Sequence, residues 1–433
     1  MSVYMKSNNL RNYLTDHYEY LYVHVSLSYT EGGTSQRHLV DLDLIRQGPA
    51  IRDTTKTVIS RCMFVFCEGV HSMITRAKPR AETAVVFHVA ASINLDASLK
   101  DALDINAKGT LNVLNLCQKM AQLQALVHVS SAYSNCNRDF IAEKIYPTLA
   151  PLDAVYHLLE NGLDSPLTRN VVDKRPNNYT YSKAVAEELV AHERGRVPAA
   201  IVRPTIIISS KSEPAKGWVD NWGGANGPIV GMGKGLVRTW PAAPDTMIDF
   251  VPVDMVANLL IAVAWDTHVR NCRGDKEVKV YNCSCGVKNP LTSRNFLRTC
   301  LHYTRKHQFR NVRWYPTLFM TDKKLLMWTV TYLLEILPAV VIDAVGWLFR
   351  REPRMIEKQK KLLKLRSVQE YFTLHQFTFL DYNVAGLRKT MSLEDRSIFD
   401  FNMNNIDWDS FIETYVIGLR KYLLKEDPGD ELQ

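Results

Sequence analysis

The first eighty of 433 residues hold only four glycines, Gly32, Gly33, Gly48 and Gly69. A phosphate-cradling loop at the start of a βαβ unit needs glycines at close, fixed spacing, so that backbone amides can approach a pyrophosphate at a helix N-terminus. Glu31-Gly32-Gly33-Thr34-Ser35 supplies only an adjacent pair, and Gln36-Arg37-His38 is a poor start for a buried helix. A working phosphate loop is therefore not expected there.

Other absences narrow the field. None of the eight cysteines forms a CxxC pair, which argues against a zinc ribbon and for reduced, packed thiols. Residues 1–30 carry Asp16 and Glu19 and have no apolar h-region, so no signal peptide is expected. No run of about 18 uncharged apolar residues occurs. The nearest, Leu325–Phe349, is interrupted by Glu335, Pro338 and Asp343. Acids are costly in lipid, so this stretch is expected to be a buried or membrane-surface helical hairpin broken at Pro338. The final Glu-Leu-Gln is not the Ser-Lys-Leu address. Charge of one sign is also in short supply. The net +8 favours phosphorylated small molecules or acidic lipid, and no nucleic-acid partner is expected.

Residues 1–83 have no clear helical period, although Tyr20–Val25 and Met63–Cys67 could form strands. From Ala84 the pattern sharpens. Ala84–Ala91, Ala125–Ser130 and Ala199–Ile208 (split by Pro204) are short apolar runs suited to strands buried on both faces of a parallel sheet. Leu103–Met120 and Tyr181–Arg194 lie between them with helical spacing. Strand alternating with helix predicts a doubly wound, Rossmann-like α/β unit over 84–290, with its first βαβ unit degraded, which without its first strand would expose a sheet edge. Gly217–Gly235 reads as a long loop. A strand near Met247–Val251, a helix over Asp254–Trp265 capped by Asp254, and a strand over Val278–Cys283 follow. Residues 291–433 read as a mainly helical second domain.

Tyr179-Thr180-Tyr181-Ser182-Lys183 is a YxxxK spacing, which sets tyrosine and lysine on one helix face. Carbonyl reduction needs a proton donor for the developing alkoxide, and a nearby ammonium could lower the pKa of a tyrosine that serves as one. The spacing alone is also what an ordinary exposed helix start would show. Ser130 and Ser131 end a predicted strand, where hydroxyls face the ligand crevice of a parallel sheet. Spacing does not separate them. Asn106 sits inside a predicted helix that it disfavours. His88-Val89-Ala90-Ala91 ends the first clear strand. Its small residues admit a cofactor or equally a tight helix–sheet contact, while His88 reads as a core histidine.

These elements resemble the extended short-chain dehydrogenase/reductase superfamily. Arg203-Pro204-Thr205, Lys216–Asn221, Gly231–Gly235, Asp249–Asp254 and Tyr281-Asn282-Cys283 narrow the resemblance to the fatty acyl-CoA reductase family. Pro338-Ala339, Asp343, Gly346, Pro353-Arg354-Met355, Ile406-Asp407-Trp408 and Gly418–Tyr422 match that family's helical C-terminal domain. The resemblance implies NADPH-dependent reduction of a long-chain acyl-CoA to a primary alcohol and CoA, in a membrane-associated enzyme of the peroxisome or endoplasmic reticulum. It implies Tyr179 as acid, Lys183 as its modulator and ribose ligand, Ser131 as the oxygen-polarising hydroxyl, and Asn106 as support for a proton relay. His88, Ala90, Ala91, Ser130, Pro204 and Thr205 would border the cofactor. A non-catalytic relative that binds acyl chains or a partner is the alternative. The basic stretch Arg350–Arg366 could meet acidic lipid or CoA phosphates, or be an ordinary exposed helix face.

Overall fold

A computed structural model describes residues 83–148, 174–349 and 354–426, three strands within the preceding segment (Tyr22–His24, Leu39–Asp41 and Cys62–Val65) and the position of Tyr156. The glycine pair at 32–33 and residues Arg350, Arg351 and Pro353 lie outside the described residues. The chain forms two compact units. One comprises residues 1–205, 255–284 and 379–402, and the other residues 206–254, 285–378 and 403–433.

The first unit is built on a five-stranded parallel sheet. Its strands are β1 (Cys62–Val65), β2 (Val85–His88), β3 (Ala125–Val129), β4 (Ala199–Pro204) and β5 (Lys279–Cys283), ordered across the sheet as in the chain. The sheet is not open beside Val85, because Cys62 and Met63 pair in parallel with Val85 and Val86. β2 and β3 are buried along their whole length, as continuous apolar strands with both faces covered must be. Between β2 and β3 the chain is helical from Leu99 to Cys117 with one π turn at Asp104–Lys108, the last segment, Gly109–Cys117, being α1. Between β3 and β4 runs α2, Asn178–Glu193, with Asn177 as N-cap accepting from Thr180 N. Leu114 of α1 packs in one core with Val185 and Leu189 of α2, Val86 of β2 and Ile201 of β4.

The second unit is mainly helical. Its helices include Asn226–Gly233, Ser293–Lys306, Met355–Leu374 and Trp408–Gly418. The glycine-rich stretch is therefore not all loop, since Asn226–Gly233 is a helix. Two short sequence motifs meet here. Gly217 has φ +73°, and a Cβ on Gly418 would lie 1.8 Å from the Gly217 carbonyl oxygen, so the close approach requires both glycines. Asp407 caps Trp408–Gly418, and the Trp408 indole donates to Asn289 O at 3.1 Å. Asp254 lies inside the helix Val253–Cys272 rather than capping it. Its carboxylate accepts the backbone amides of Lys211, Ser212 and Glu213.

Residues 324–348 form one continuous helical run, Lys324–Thr331, a π turn at Tyr332–Ile336 and Leu337–Leu348. The expected break at Pro338 does not occur. A proline leaves the carbonyl four residues earlier without its amide, and here Arg238 Nη1 donates to Leu334 O at 3.1 Å. Among the described residues this is the one helix long and apolar enough to cross a membrane.

Candidate active site

Three strand ends and one helix assemble the site in the first unit. α2 carries Tyr179 and Lys183 one turn apart. β3 delivers Ser130 and Ser131 where the chain leaves the sheet, and β2 delivers His88 and the small residues behind it. Ser131 lies beside the Tyr179 phenol, and its hydroxyl accepts the Tyr133 amide at 3.2 Å as the cap of a short 3-10 turn. Burial pushes the Tyr179 hydroxyl up to about 12, partly offset by the neighbouring Ser131 hydroxyl.

Lys183 is buried, and its ammonium donates to Val129 O at 2.8 Å. Its charge bears on two buried histidines. His88 is held down to about 3, first by burial and then by Lys183. His128, whose ring lies 5.0 Å from that of His88, is lowered by burial, by His88 and by Lys183. Both rings are neutral near neutral pH. His88 is buried, and its Nε2 meets Thr110 Oγ1 at 2.9 Å.

The two serines, indistinguishable by spacing, separate here. Ser131 joins Tyr179, whereas Ser130 Oγ donates to Glu187 Oε1 at 2.5 Å. Glu187, one further turn along α2, also accepts from Ser134 Oγ at 2.9 Å. It forms a two-pronged pair with Arg203 of β4, Nε to Oε1 at 2.8 Å and Nη2 to Oε2 at 2.6 Å. Arg203 and Glu187 are 0% and 1% exposed. Sequence reasoning passed over Glu187, although its signal was present as an acid one turn beyond the lysine on the same helix face.

Asn106 lies in the π turn. Its side chain accepts the Ser92 amide at 2.7 Å and donates to Ser92 O at 3.1 Å and Ser182 Oγ at 2.9 Å. It ties the segment after β2 to α2, beside Tyr179 and Lys183. The Asn106 carbonyl is taken by Thr110 Oγ1 at 2.6 Å. Ala90 and Ala91 are buried behind β2. Pro204 and Thr205 follow β4, with Thr205 N donating to Cys283 O at 3.0 Å. Among the described residues no group of three or more metal-ligating side chains occurs.

A phenol beside a hydroxyl, with an ammonium one turn away at the carboxyl ends of parallel strands, can deliver a proton to a reacting oxygen. The fold and this cluster define an α/β oxidoreductase with a nicotinamide cofactor, and the comparisons specify it further. Residues 74–260 match the NAD-binding family model described as male sterility protein, and residues 334–426 match the Sterile model of the same description. Fatty acyl-CoA reductase 2 of Mus musculus is 35% identical over 348 residues, 80% of this chain and 67% of that protein. Fatty acyl-CoA reductase 1 of Xenopus laevis is 30% identical over 417 residues, 94% of this chain and 80% of that protein. Fatty acyl-CoA reductase wat of Drosophila melanogaster is 33% identical over 350 residues, with 80% and 67% covered. The chain belongs to the fatty acyl-CoA reductase family.

Proposed function

We propose that this protein reduces long-chain acyl-CoA to a primary fatty alcohol and CoA with NADPH, on the peroxisomal or endoplasmic-reticulum membrane. The observation that supports it most is the placement of Tyr179 next to Ser131, one helix turn from the buried Lys183 at the end of β3. Small side chains at Ala90 and Ala91, Pro204 and Thr205 at the neighbouring strand end, and the Lys183 ammonium fit the nicotinamide half of such a cofactor. The bound cofactor supplies hydride, two equivalents per thioester carried to alcohol.

Ser131 and Tyr179 bind the substrate carbonyl oxygen, and Tyr179 gives its proton to the oxygen as negative charge develops there. Alone the phenol, near pKa 12, is a weak acid. Lys183, moved off Val129 O toward a ribose, would bring its positive charge to bear on the phenolate and lower that value. Asn106 holds the segment after β2 against α2 and so fixes where Tyr179 stands.

The test incubates the full chain with palmitoyl-CoA and either NADPH or NADH, following fatty alcohol and cofactor consumption. Alcohol formation with NADPH, lost by about 10²–10⁴-fold in Tyr179→Phe, is the expected result. Activity that survives Tyr179→Phe overturns the mechanism. Fluorescence quenching by NADPH without product would favour the non-catalytic alternative.

A further inference from the structure

The helical run 324–348 carries two incompatible surfaces. Met327, Thr331, Glu335, Ala339 and Asp343 are all buried, and they recur at every fourth residue. In an ideal helix that stripe would wind around the axis, because four residues overshoot one turn. The π turn at Tyr332–Ile336 takes up the excess and keeps the stripe on one side. Both acids of the run are thereby spent on the protein. Glu335 accepts from Arg238 N, Thr239 N, Thr239 Oγ1 and Arg366 Nη2, the last at 2.6 Å. Asp343 accepts the amides of Arg354, Met355 and Ile356 at the start of the helix Met355–Leu374.

The opposite side is apolar and open. Leu325, Leu333 and Val341 are more than half exposed, and Trp328, Trp347 and Leu348 stand near the two ends of the run. An exposed apolar surface of this extent marks an interaction site. The surrounding charge is positive on balance: Lys323 and Lys324 at one end, and Lys358, Lys360 and Lys361 on the adjacent helix, are exposed, against Asp322 and Glu357, the latter paired with Lys361 at 3.5 Å.

We propose that this face lies in the plane of an anionic bilayer surface, with its apolar side chains at the headgroup–acyl boundary and the lysines among acidic headgroups. Length does not separate lying from crossing, since 25 residues reach ~37 Å. The buried side does. Asp343 meets the first residues of Met355–Leu374 and Glu335 meets Arg366 further along it, so the two helices run antiparallel and a crossing would carry Glu335, Arg366 and the lysines into hydrocarbon. The seating is independent of the reductase chemistry.

Flotation of the full chain with phosphatidylcholine vesicles, with and without phosphatidylserine, tests it. The chain is expected to float with the mixed vesicles, less so at high salt. Trp347→Glu combined with Leu348→Glu is expected to weaken binding about tenfold or more with unchanged circular dichroism, because both side chains point outward. Nitroxides placed singly at Leu325, Val341 and Leu348 should report equal, shallow depths. A chain that stays at the bottom with both vesicle types overturns the proposal. So does a depth profile deepest in the middle, which means a crossing helix. A loss of self-association in the Glu variant without any vesicle binding overturns it too, and assigns the face to a second copy.

Discussion

Two buried carboxylate–guanidinium pairs among the described residues, Glu187–Arg203 and Glu335–Arg366, differ in their surroundings in a way that separates chemistry from anchoring. Glu187–Arg203, in the sheet unit, is fed by side chains of the segment that follows β3, namely Ser130, Ser134 and Asn135. Glu335–Arg366, in the helical unit, is fed by the backbone amides of Arg238 and Thr239 and by the hydroxyls of Thr239 and Thr331. Burying either pair gains little net stability, but removing one partner strands a charge in a dry interior. The first pair fixes the residue beside Ser131, and the second fixes the helix whose outer face is apolar.

The largest effects break this comparison directly. Glu187→Gln and Glu335→Gln should each cost ~3–5 kcal/mol, seen as a fall in Tm on the order of 10 °C. Their functional signatures should diverge. Glu187→Gln should also lower kcat at temperatures where it is folded, because α2 and the Ser130–Ser131 segment lose their common anchor. Glu335→Gln should leave kcat for detergent-dispersed substrate near wild type and reduce vesicle binding. Equal losses of kcat in both variants would show that the pairs do not divide their roles as described.

Ser131→Ala and Ser130→Ala sharpen the first half of the comparison. Ser131→Ala removes the hydroxyl beside the Tyr179 phenol and should lower kcat by about 10²-fold with little change in Tm. Ser130→Ala removes one of several donors to Glu187 and should cost ~1–2 kcal/mol of stability with a smaller effect on kcat. The reverse ranking of kcat would assign the oxygen-binding hydroxyl to Ser130.

Acid should act on the sheet unit through its histidines. His88 is depressed to about 3 and His128 is also lowered, so below about pH 6.5 the unfolded chain binds protons that the folded chain refuses. Stability is full above that pH and falls as the pH drops toward 3, by up to ~1.4 kcal/mol per pH unit for each ring. Glu143 in the same unit, raised to about 7 by burial, pulls the opposite way over this range, so the test is the difference: between pH 7 and 4 the denaturation midpoint of His128→Phe should fall less, or rise more, than that of the wild type.

Much of the sheet unit is legible in the sequence because its strands are short, apolar and buried on both faces. Ala84–Ala91, Ala125–Ser130 and Val278–Cys283 contain β2, β3 and β5 almost whole. The YxxxK spacing likewise falls on α2 as the helical period requires. What escapes the sequence depends on distant partners. Ser130 and Ser131 differ only in where Glu187 stands, 57 residues further on for Ser130. The helix within the glycine-rich stretch is invisible to propensity, because tertiary packing, such as the Tyr415 hydroxyl on Asn226 Oδ1 at 2.6 Å, overrides the cost of its glycines. Composition reads Leu325–Phe349 as a broken hairpin, since nothing local reveals that Arg238, nearly a hundred residues earlier, serves the carbonyl that Pro338 leaves open.

That last contact gives the smallest effect and the finest test of how the apolar helix is held. An interior proline ordinarily costs about 3 kcal/mol relative to alanine, so Pro338→Ala in an unsupported helix would stabilise by that amount. Here the Leu334 carbonyl already has the Arg238 guanidinium, and the preceding π turn has loosened the ladder. Pro338→Ala alone should therefore change stability by less than about 1 kcal/mol, as the new amide merely competes for an occupied acceptor. Arg238→Ala alone should cost about 1–2 kcal/mol by orphaning that carbonyl. The double variant should recover most of this loss, because the alanine amide takes over the Leu334 oxygen, and the coupling is read from a four-member thermal cycle. Strict additivity would mean that Arg238 does not compensate for the proline, and that the continuity of the helix rests on its packed stripe alone.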